Sequence, residues 1–223
     1  MSAPIFAAVG GRVNAWETEA MKELAAGAGL EGGGVVNTCA VTSEAVRKAR
    51  QEIRRLRRQN PDARLIVTGC AADIERDAIV AMPEVDGVVA NESKLDPRAW
   101  NAPAPEAPLP PTRTRAFVAV QNGCDHACTF CVIPQGRGVS RSLQIPQALD
   151  QVAKHIDEGA KEVVLTGVDL TSWGQDFAQP SGLGELVQAI LRAFPTLDRL
   201  RLSSVDGVEI DEKLFDLIAN EPR

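Results

Sequence analysis

The chain has 223 residues, of which 44% are hydrophobic and 24% charged, and this balance excludes a wholly disordered or fibrous protein. Its net charge of −6 excludes a chain that is basic throughout, so an RNA partner would require a local basic patch. No apolar run approaches the roughly 18 residues of a membrane span, and no basic flank precedes the short apolar N-terminus. We therefore predict no membrane partner and no signal peptide. Five cysteines in such a chain indicate metal or redox chemistry in the cytoplasm rather than a disulfide framework.

In the first hundred residues, short apolar runs that end in turn residues alternate with helical stretches. The clearest helix is predicted over Ser43–Arg58, with Val46, Ala49, Ile53 and Leu56 on one face. Strands are predicted at Pro4–Val9, Gly34–Asn37, Arg64–Thr68 and Gly87–Ala90. This alternation predicts an α/β domain with a doubly wound parallel sheet.

A proline-rich stretch divides the chain. Ala102–Thr112 has the sequence APAPEAPLPPT, in which five of eleven residues are proline, so neither a helix nor a central strand is expected there. We predict an N-terminal domain over residues 1–101, a linker over 102–112 and a second domain over 113–223.

The second part begins with the same alternation and then stops. Its predicted strands are Ala116–Gln121, Glu162–Thr166 and Arg199–Ser203, and its predicted helices are Pro146–Asp157, Leu183–Phe194 and Asp211–Asn220. Three β/α units cannot close a barrel, and an open sheet would expose an apolar edge. We therefore expect an incomplete barrel, in a chain that is a fragment of a longer protein.

Three cysteines directly after the first strand of this part carry the strongest chemical signal. Cys124, Cys128 and Cys131 stand in GCDHACTFC, with the spacing Cys-x3-Cys-x2-Cys. Three thiolates at this spacing can each bind one iron of a 4Fe-4S cube and leave the fourth iron open for a chelating molecule. A structural zinc site is the alternative, but it needs a fourth ligand, for which only His126 lies near. Incidental thiols are the remaining explanation.

The residues around these cysteines resemble a known family. The Cys-x3-Cys-x-Phe-Cys motif, with Phe130 as its aromatic residue, resembles the radical S-adenosylmethionine superfamily. The stretches QNGCDHACTFCVIPQGRG, VVLTGVDLTSWG, RLRLSS, VVNTCAVTSEA and LIVTGCAA together resemble the methylthiotransferases. Two of them, the cysteine motif and LTGVDLTSWG, are most similar to the tRNA threonylcarbamoyladenosine methylthiotransferases. The resemblance extends from Ile5 to Leu217.

The resemblance implies an enzyme that adds a methylthio group to C2 of a modified adenosine beside the tRNA anticodon. One S-adenosylmethionine would supply the methyl group, and another would be cleaved to a radical that removes the C2 hydrogen. A second 4Fe-4S cluster in the N-terminal domain would carry the sulfur. The implied partners are tRNA, a sulfur donor and an electron donor of the flavodoxin or ferredoxin type.

The resemblance also implies which residues contact the cofactor. Phe130 lies within the cysteine motif, and Thr166, Gly167 and Asp169 end the second strand of the barrel, where relatives contact the methionine amine. Ser203 ends the third strand and would face the same cofactor. An ordinary strand-to-helix turn is the alternative for Asp169, and a capping hydroxyl is the alternative for Ser203.

Two further cysteines lie in the N-terminal part. Cys39 and Cys70 each follow a predicted strand of one parallel sheet, so both are expected at the sheet edge where ligands bind. The resemblance makes them ligands of the second cluster, but it places a third cysteine where this chain has Gly11. The second cluster is therefore doubtful, and buried core cysteines are the alternative.

Arginines form a stripe along the predicted Ser43–Arg58 helix. Its members, candidate contacts to the tRNA backbone, are Arg47, Arg50, Arg54 and Arg57. A solvated face balanced by acidic residues is the alternative. Beyond the cysteine motif, Arg137 is expected either to contact cofactor or substrate phosphate or to be solvated.

Three hypotheses about function remain at this stage. The first is a radical S-adenosylmethionine tRNA methylthiotransferase, including one with a different tRNA or a ribosomal protein as substrate. The second is a degenerate or truncated homologue that binds a cluster or RNA without transferring sulfur, because Gly11 replaces a ligand. The third is an unrelated zinc or thiol protein with two domains.

Overall fold

The computed structural model of the protein describes residues 5–27, 32–100 and 115–223. The predicted linker at 102–112 lies outside the described residues. By their contacts, the described residues form two units. The first unit contains the described residues up to Trp100 together with His126–Gly138, which we call the cysteine segment. The second unit contains Arg115–Asp125 and Val139–Arg223.

The first unit is built on a parallel sheet of four strands. Its strands, in spatial order, are β1 (Ile5–Ala8), β2 (Gly34–Thr38), β3 (Leu65–Gly69) and β4 (Gly87–Val88). Every residue of β2 and β3 is buried, which is why both strands appear in the sequence as nearly continuous apolar runs. The register pairs Thr38 with Gly69, so the carboxyl ends of these two strands are level.

Helices cover both faces of this sheet, as the doubly wound prediction requires. One core contains Ile53 and Leu56 with Val36 and Val67, and a second core contains Met21, Leu24, Val35 and Ile66. The helices are α1 (Arg12–Gly27), α2 (Ser43–Gln59), α3 (Cys70–Ile74), α4 (Arg76–Val80) and, in the cysteine segment, α5 (Ile133–Arg137); a 3-10 helix spans Pro97–Trp100. The start of α2 is fixed by Thr42, whose hydroxyl accepts a hydrogen bond from the Ala45 amide at 3.1 Å.

The second unit contains three β/α units, as predicted. Its parallel sheet has the order β5-β8-β9, and a short antiparallel pair, β6 with β7, stands beside it. The elements in chain order are β5 (Arg115–Ala119), β6 (Gln121–Asn122), β7 (Arg141–Ser142), α6 (Ile145–Asp157), β8 (Glu162–Thr166), a 3-10 helix (Leu170–Ser172), α7 (Leu183–Ala193), β9 (Arg199–Leu202) and α8 (Glu212–Asn220). The fold class is therefore confirmed, whereas the β6–β7 pair and α5 have no counterpart in the prediction.

The core of the second unit forms where α6 and α7 pack on the sheet. Leu186 and Ile190 of α7 are fully buried, and so is Trp173. The Trp173 indole donates a hydrogen bond to the Leu143 carbonyl at 3.0 Å and meets the Phe177 ring edge-on at 5.2 Å. Trp173 therefore fixes the loop that follows β8.

None of the helices in the described part of the chain is both long enough and apolar enough to cross a membrane.

Candidate functional site

In the second unit, one glutamine organises the carboxyl end of the sheet. The buried Gln121 side chain accepts hydrogen bonds from the amides of Val168 and Asp169 at 2.9 and 2.8 Å. Its amide nitrogen donates to the Gly123 carbonyl at 2.8 Å and to the Ser140 hydroxyl at 3.0 Å. Gln121 therefore ties the loop before Cys124 to the loop after β8.

Gly167 lies against this glutamine and has no room for a side chain. A Cβ atom at Gly167 would stand 2.9 Å from Gln121 Oε1 and 3.0 Å from Gln121 Cβ. Packing therefore explains why position 167 is a glycine, because the turn after β8 passes directly over Gln121.

The structure brings two predicted site residues, Cys124 and Asp169, together at this end of the sheet. The Cys124 thiol is buried and donates to Asp169 Oδ2 at 3.5 Å. A thiolate at Cys124 could not make this hydrogen bond, so iron ligation by Cys124 requires the Asp169 carboxylate to turn toward another donor.

Two buried hydroxyls at the same edge have no hydrogen-bond partner among the described residues. They are Thr166 Oγ1, at the end of β8, and Ser203 Oγ, directly after β9. Leu165 pairs with Leu202 in the ladder, so Thr166 and Ser203 stand level with each other. Leaving a buried hydroxyl unpaired costs about 1–3 kcal/mol, and such groups call for an explanation, of which a missing ligand is one.

In the first unit, the cysteine segment exposes one end and buries the other. The Cys131 amide donates to the Cys128 carbonyl at 3.1 Å, which closes a turn with Cys128 exposed and Cys131 half-buried. Phe130 lies on this turn and is 89% exposed. Val132, by contrast, packs against the core of the first unit.

Cys39 and Cys70 directly follow β2 and β3, whose carboxyl ends are level, so both lie at the ligand-binding edge of the first sheet. Cys70 is buried and Cys39 is half-buried. A Cβ atom at Gly10 would stand 3.0 Å from Cys39 Cβ, whereas a Cβ atom at Gly11 would have no other heavy atom within 4 Å. The position at which the resemblance places a third cysteine is therefore open.

Burial raises the pKa of the Cys70 thiol, and the negative charges of Cys39, when ionised, and of Glu17 raise it further. The charges of Arg137 and Lys94 act in the opposite direction and favour the thiolate. The Asn91 amide also donates toward Cys70 Sγ, at 3.9 Å.

A group of buried polar side chains, here called the ionic cluster, lies at this same edge. Lys94 Nζ donates to Glu17 Oε2 and Asn91 Oδ1, both at 2.6 Å, and to Asn37 Oδ1 at 3.3 Å. Arg137 Nη1 donates to Glu17 Oε1 at 2.9 Å, and its Nη2 donates to Asn14 Oδ1 at 2.7 Å. The cluster consists of Asn14, Glu17, Asn37, Asn91, Lys94 and Arg137, all of them buried.

Ionisation in the ionic cluster is set by competition between burial and neighbouring charges. Burial alone would raise the pKa of Glu17, but Lys94 and Arg137 hold it below its ordinary value. Burial lowers the pKa of Lys94, and the Arg137 charge lowers it further. The Arg137 pKa is raised, since Glu17 outweighs the effect of burial. Glu17 and Arg137 therefore form a fully charged buried pair.

Arg137 differs from both sequence expectations. Its side chain is only 6% exposed, so it is not solvated, and its partners Glu17 and Asn14 belong to the protein. Burial of the guanidinium follows from the position of α5, whose last residue is Arg137 and which packs beside α3. No periodic pattern in the sequence predicts this pairing, because 120 residues separate Arg137 from Glu17.

The four predicted RNA-binding arginines of α2 each bond to an acidic group of the first unit. Arg47 pairs with Glu44, Arg50 with Glu75 and Arg54 with Glu84. Arg57 pairs with Asp86 and also donates to the carbonyls of Pro61, Ala63 and Glu84. Arg57 is therefore part of the local architecture, whereas Arg47 is exposed and held only by its neighbour on the helix.

Comparison with known families gives two matches along the chain. Residues 5–90 match the model described as uncharacterized protein family UPF0004, and residues 118–220 match the radical SAM superfamily. The order of these matches follows the predicted order of the two domains. The chain therefore joins a UPF0004 part to a radical SAM part.

Curated relatives support this assignment. The threonylcarbamoyladenosine tRNA methylthiotransferase MtaB of Rickettsia prowazekii is 40% identical over 96% of this chain and 55% of its own length. MtaB of Bacillus subtilis is 32% identical over 98% of this chain and 54% of its own length. A tRNA-2-methylthio-N(6)-dimethylallyladenosine synthase of Chloroflexus aurantiacus is 31% identical over 85% of this chain and 43% of its own length. The chain spans about half the length of the curated relatives it matches.

The radical SAM match implies a 4Fe-4S cluster and S-adenosylmethionine as cofactors. The donor chemistry of the chain fits them. Cysteine thiolates are the ligands of 4Fe-4S clusters, and the orphaned hydroxyls of Thr166 and Ser203 lie at the edge of the sheet where ligands of α/β proteins bind.

Proposed function

We propose that the protein is a radical S-adenosylmethionine tRNA methylthiotransferase that acts at C2 of N6-threonylcarbamoyladenosine beside the anticodon. Two relatives named for threonylcarbamoyladenosine tRNA support the substrate. Two observations carry the proposal: the Cys-x3-Cys-x2-Cys motif, whose first cysteine follows β6, and the two orphaned hydroxyls at the carboxyl end of the second sheet.

We assign the radical cluster to Cys124, Cys128 and Cys131. Only three and two residues separate the successive cysteines, so their Cα atoms can lie at most about 14 Å apart in the first pair and about 11 Å apart in the second. The turn closed by the Cys131 amide leaves the Cys128 thiol accessible for ligation. When bound, the cluster supplies the electron that cleaves S-adenosylmethionine to the radical needed for C–H abstraction.

We assign the binding of S-adenosylmethionine to the carboxyl edge of the second sheet. The Asp169 carboxylate can accept hydrogen bonds from the ammonium group of the methionine moiety. The hydroxyls of Thr166 and Ser203 can pair with its polar atoms, which would satisfy both orphans. Because Gly167 lacks a side chain, the backbone after β8 lies close to Gln121, which fixes the conformation of this edge of the sheet. Phe130 offers an apolar surface for the cofactor.

A second candidate function rests on Gly11. With Cys39 and Cys70 as the only thiols that follow strands of the first sheet, a second cluster would have two protein ligands instead of three. The chain would then bind the radical cluster and its cofactor without inserting sulfur.

For the first candidate function, we propose three partners: tRNA, a sulfur donor and an electron donor of the flavodoxin or ferredoxin type. The proposed compartment is the cytoplasm.

Anaerobic reconstitution followed by a product assay separates these functions. The protein is incubated with S-adenosylmethionine, dithionite and tRNA that carries threonylcarbamoyladenosine, and deoxyadenosine and modified nucleosides are measured. Deoxyadenosine with 2-methylthio product supports the first function, and deoxyadenosine without it supports the second. A chain that binds zinc in place of iron and forms no deoxyadenosine contradicts both. Parallel assays with dimethylallyladenosine tRNA and with ribosomal protein test the substrate.

A further inference from the structure

Among the described residues, Val132, Gly136 and Arg137 join the cysteine segment to the rest of the first unit, and none of these three is a proposed ligand. Val132 packs against the apolar core of the unit. Gly136 accepts a hydrogen bond at its carbonyl from the Asn91 amide and lies against Cys70. Arg137 enters the ionic cluster and donates to both oxygens of Glu17. The contacts thus fall at the end of the segment that follows the cysteines.

We propose that Arg137 is a positioning residue, which anchors the cysteine segment so that Cys128 and Cys131 are presented for ligation. This inference rests on the proposed function, since it assumes that these two thiols hold the radical cluster. This role does not require Arg137 to contact a ligating atom, because the residue acts through the backbone of α5 and the turn that precedes it.

The chemistry of the anchor explains why the residue is arginine. Its planar guanidinium places separate N–H groups on Glu17 Oε1 at 2.9 Å and on Asn14 Oδ1 at 2.7 Å. A lysine offers the same charge at a single point and cannot span these acceptors in the same way. Because Arg137 and Glu17 are buried, water cannot solvate their charges if the ion pair is weakened, and the protein loses stability. The anchor therefore fixes the direction of α5 as well as its attachment.

Gly136 forms a second contact between α5 and the rest of the first unit, and this contact can be tested independently of Arg137. A Cβ atom there would stand 2.9 Å from Cys70 Cβ and 3.3 Å from Cys70 Sγ, closer than ordinary packing allows. The same contact couples the segment to the cysteine edge of the first sheet. A side chain at Gly136 would therefore push α5 away from Cys70. The turn that carries Cys128 would then be less firmly fixed.

The test compares Arg137→Lys and Gly136→Ala with two matched controls. Arg55→Lys makes the same change in an exposed ion pair of α2 with Glu52, and Gly87→Ala adds a Cβ atom where no heavy atom lies within 4 Å. Hydrogen exchange is measured on the cluster-free chain, followed by iron content and the electron paramagnetic resonance spectrum of the reduced protein after anaerobic reconstitution.

We expect amides of the cysteine segment to exchange about tenfold faster in Arg137→Lys and Gly136→Ala, while those of β2 and β3 stay unchanged. Iron bound at limiting iron should fall several-fold, and the spectrum of the remaining cluster should shift. Both controls should match the parent. Unchanged exchange in both variants would overturn the inference, even if the parent binds its cluster. A parent that binds no iron would contradict the proposed function, whereas the exchange data would still decide whether Arg137 anchors the segment.

Discussion

Arg137, the last residue of α5, donates hydrogen bonds to both carboxylate oxygens of Glu17, in the middle of α1. Lys94 bonds to the same carboxylate, so one buried anion serves two buried cations. Removing one partner of a buried ion pair leaves an uncompensated charge, which is more harmful than losing the pair as a whole. Glu17 is thus the residue on which the ionic cluster depends.

Glu17→Gln should lower the free energy of unfolding by about 3 kcal/mol at neutral pH, because it leaves two buried cations without their anion. The folded-state pKa of Glu17 lies below its ordinary value of 4.5, so its contribution is complete above that pH and is lost as the pH falls through the folded-state pKa. The difference between parent and variant should therefore shrink on acidification. Urea unfolding at several pH values between about 7 and 3 measures it.

Glu19→Gln is the matched control for this experiment. Glu19 lies on the same helix, but it is exposed, and its partner among the described residues is Lys22, one turn away. Its replacement should leave the urea midpoint close to that of the parent at every pH. The loss of stability in Glu17→Gln could instead be as small as that in Glu19→Gln, or could grow on acidification. Either result would contradict the charged state assigned to Glu17 and Arg137.

The contrast between the sheet strands and the ionic cluster shows what the sequence could predict. The strands β2 and β3 are buried on both faces and are therefore continuous apolar runs, and α2 and α7 carry clear apolar stripes, so their positions follow from periodicity. The fold class follows from the same signal.

The ionic cluster has no such signal. Glu17, Lys94 and Arg137 are of residue types that are normally exposed, and they come together only because three distant segments meet at one sheet edge. The sequence IPQGR of α5 contains a proline and a glycine, so no helical period marks it. The available hint was three asparagines near apolar runs, at the start of α1 (Asn14), within β2 (Asn37) and shortly after β4 (Asn91).

Thr166→Val should stabilise the cluster-free chain by about 1 kcal/mol and weaken its binding of S-adenosylmethionine after reconstitution. The reason is that Thr166 Oγ1 is buried without a partner among the described residues, so its removal relieves a desolvation cost but deletes a proposed ligand contact. Thermal unfolding measures the first effect, and equilibrium dialysis with labelled cofactor measures the second.

Thr38→Val supplies the control, because its hydroxyl is fully used. Thr38 Oγ1 donates to the Thr68 carbonyl at 2.7 Å and accepts from the Ala72 amide at 3.1 Å. This variant should lose about 1–3 kcal/mol of stability. If Thr166→Val behaves like Thr38→Val and leaves cofactor binding intact, Thr166 is a structural residue.

Arg57→Gln and Arg47→Gln should separate architecture from RNA binding on α2. Arg57 joins α2 to the carbonyls of Pro61, Ala63 and Glu84, so its replacement should cost about 1–3 kcal/mol of stability. Arg47 pairs only with Glu44 on the exposed face, so its replacement should leave the melting temperature unchanged. If the arginine stripe of α2 contacts the tRNA backbone, Arg47→Gln should weaken tRNA binding and reduce its dependence on salt. Filter binding at several salt concentrations measures the tRNA affinity of the parent and of the variant. Equal affinities would argue against the RNA contact.

Gly11→Cys tests whether the first sheet can hold a second cluster. A Cβ atom at Gly11 meets no other heavy atom within 4 Å, so the position accepts a cysteine without repacking. The neighbouring Gly10 does not, since a Cβ atom there would lie 2.8 Å from Asn14 Nδ2 and its φ of 150° disfavours a side chain. A thiolate at Gly11 would add a third ligand beside Cys39 and Cys70.

The expected result is a rise from about four to about eight irons per chain after anaerobic reconstitution, with a second set of signals in the resonance spectrum of the reduced protein. Gly11→Ser is the control, because a hydroxyl of similar size is a poor ligand for iron–sulfur clusters and should leave the iron content near that of the parent. The difference between these two variants isolates the chemistry of the ligand from its bulk. A cysteine variant that binds no more iron than the serine variant would show that the loops carrying Gly11, Cys39 and Cys70 do not form one cluster site.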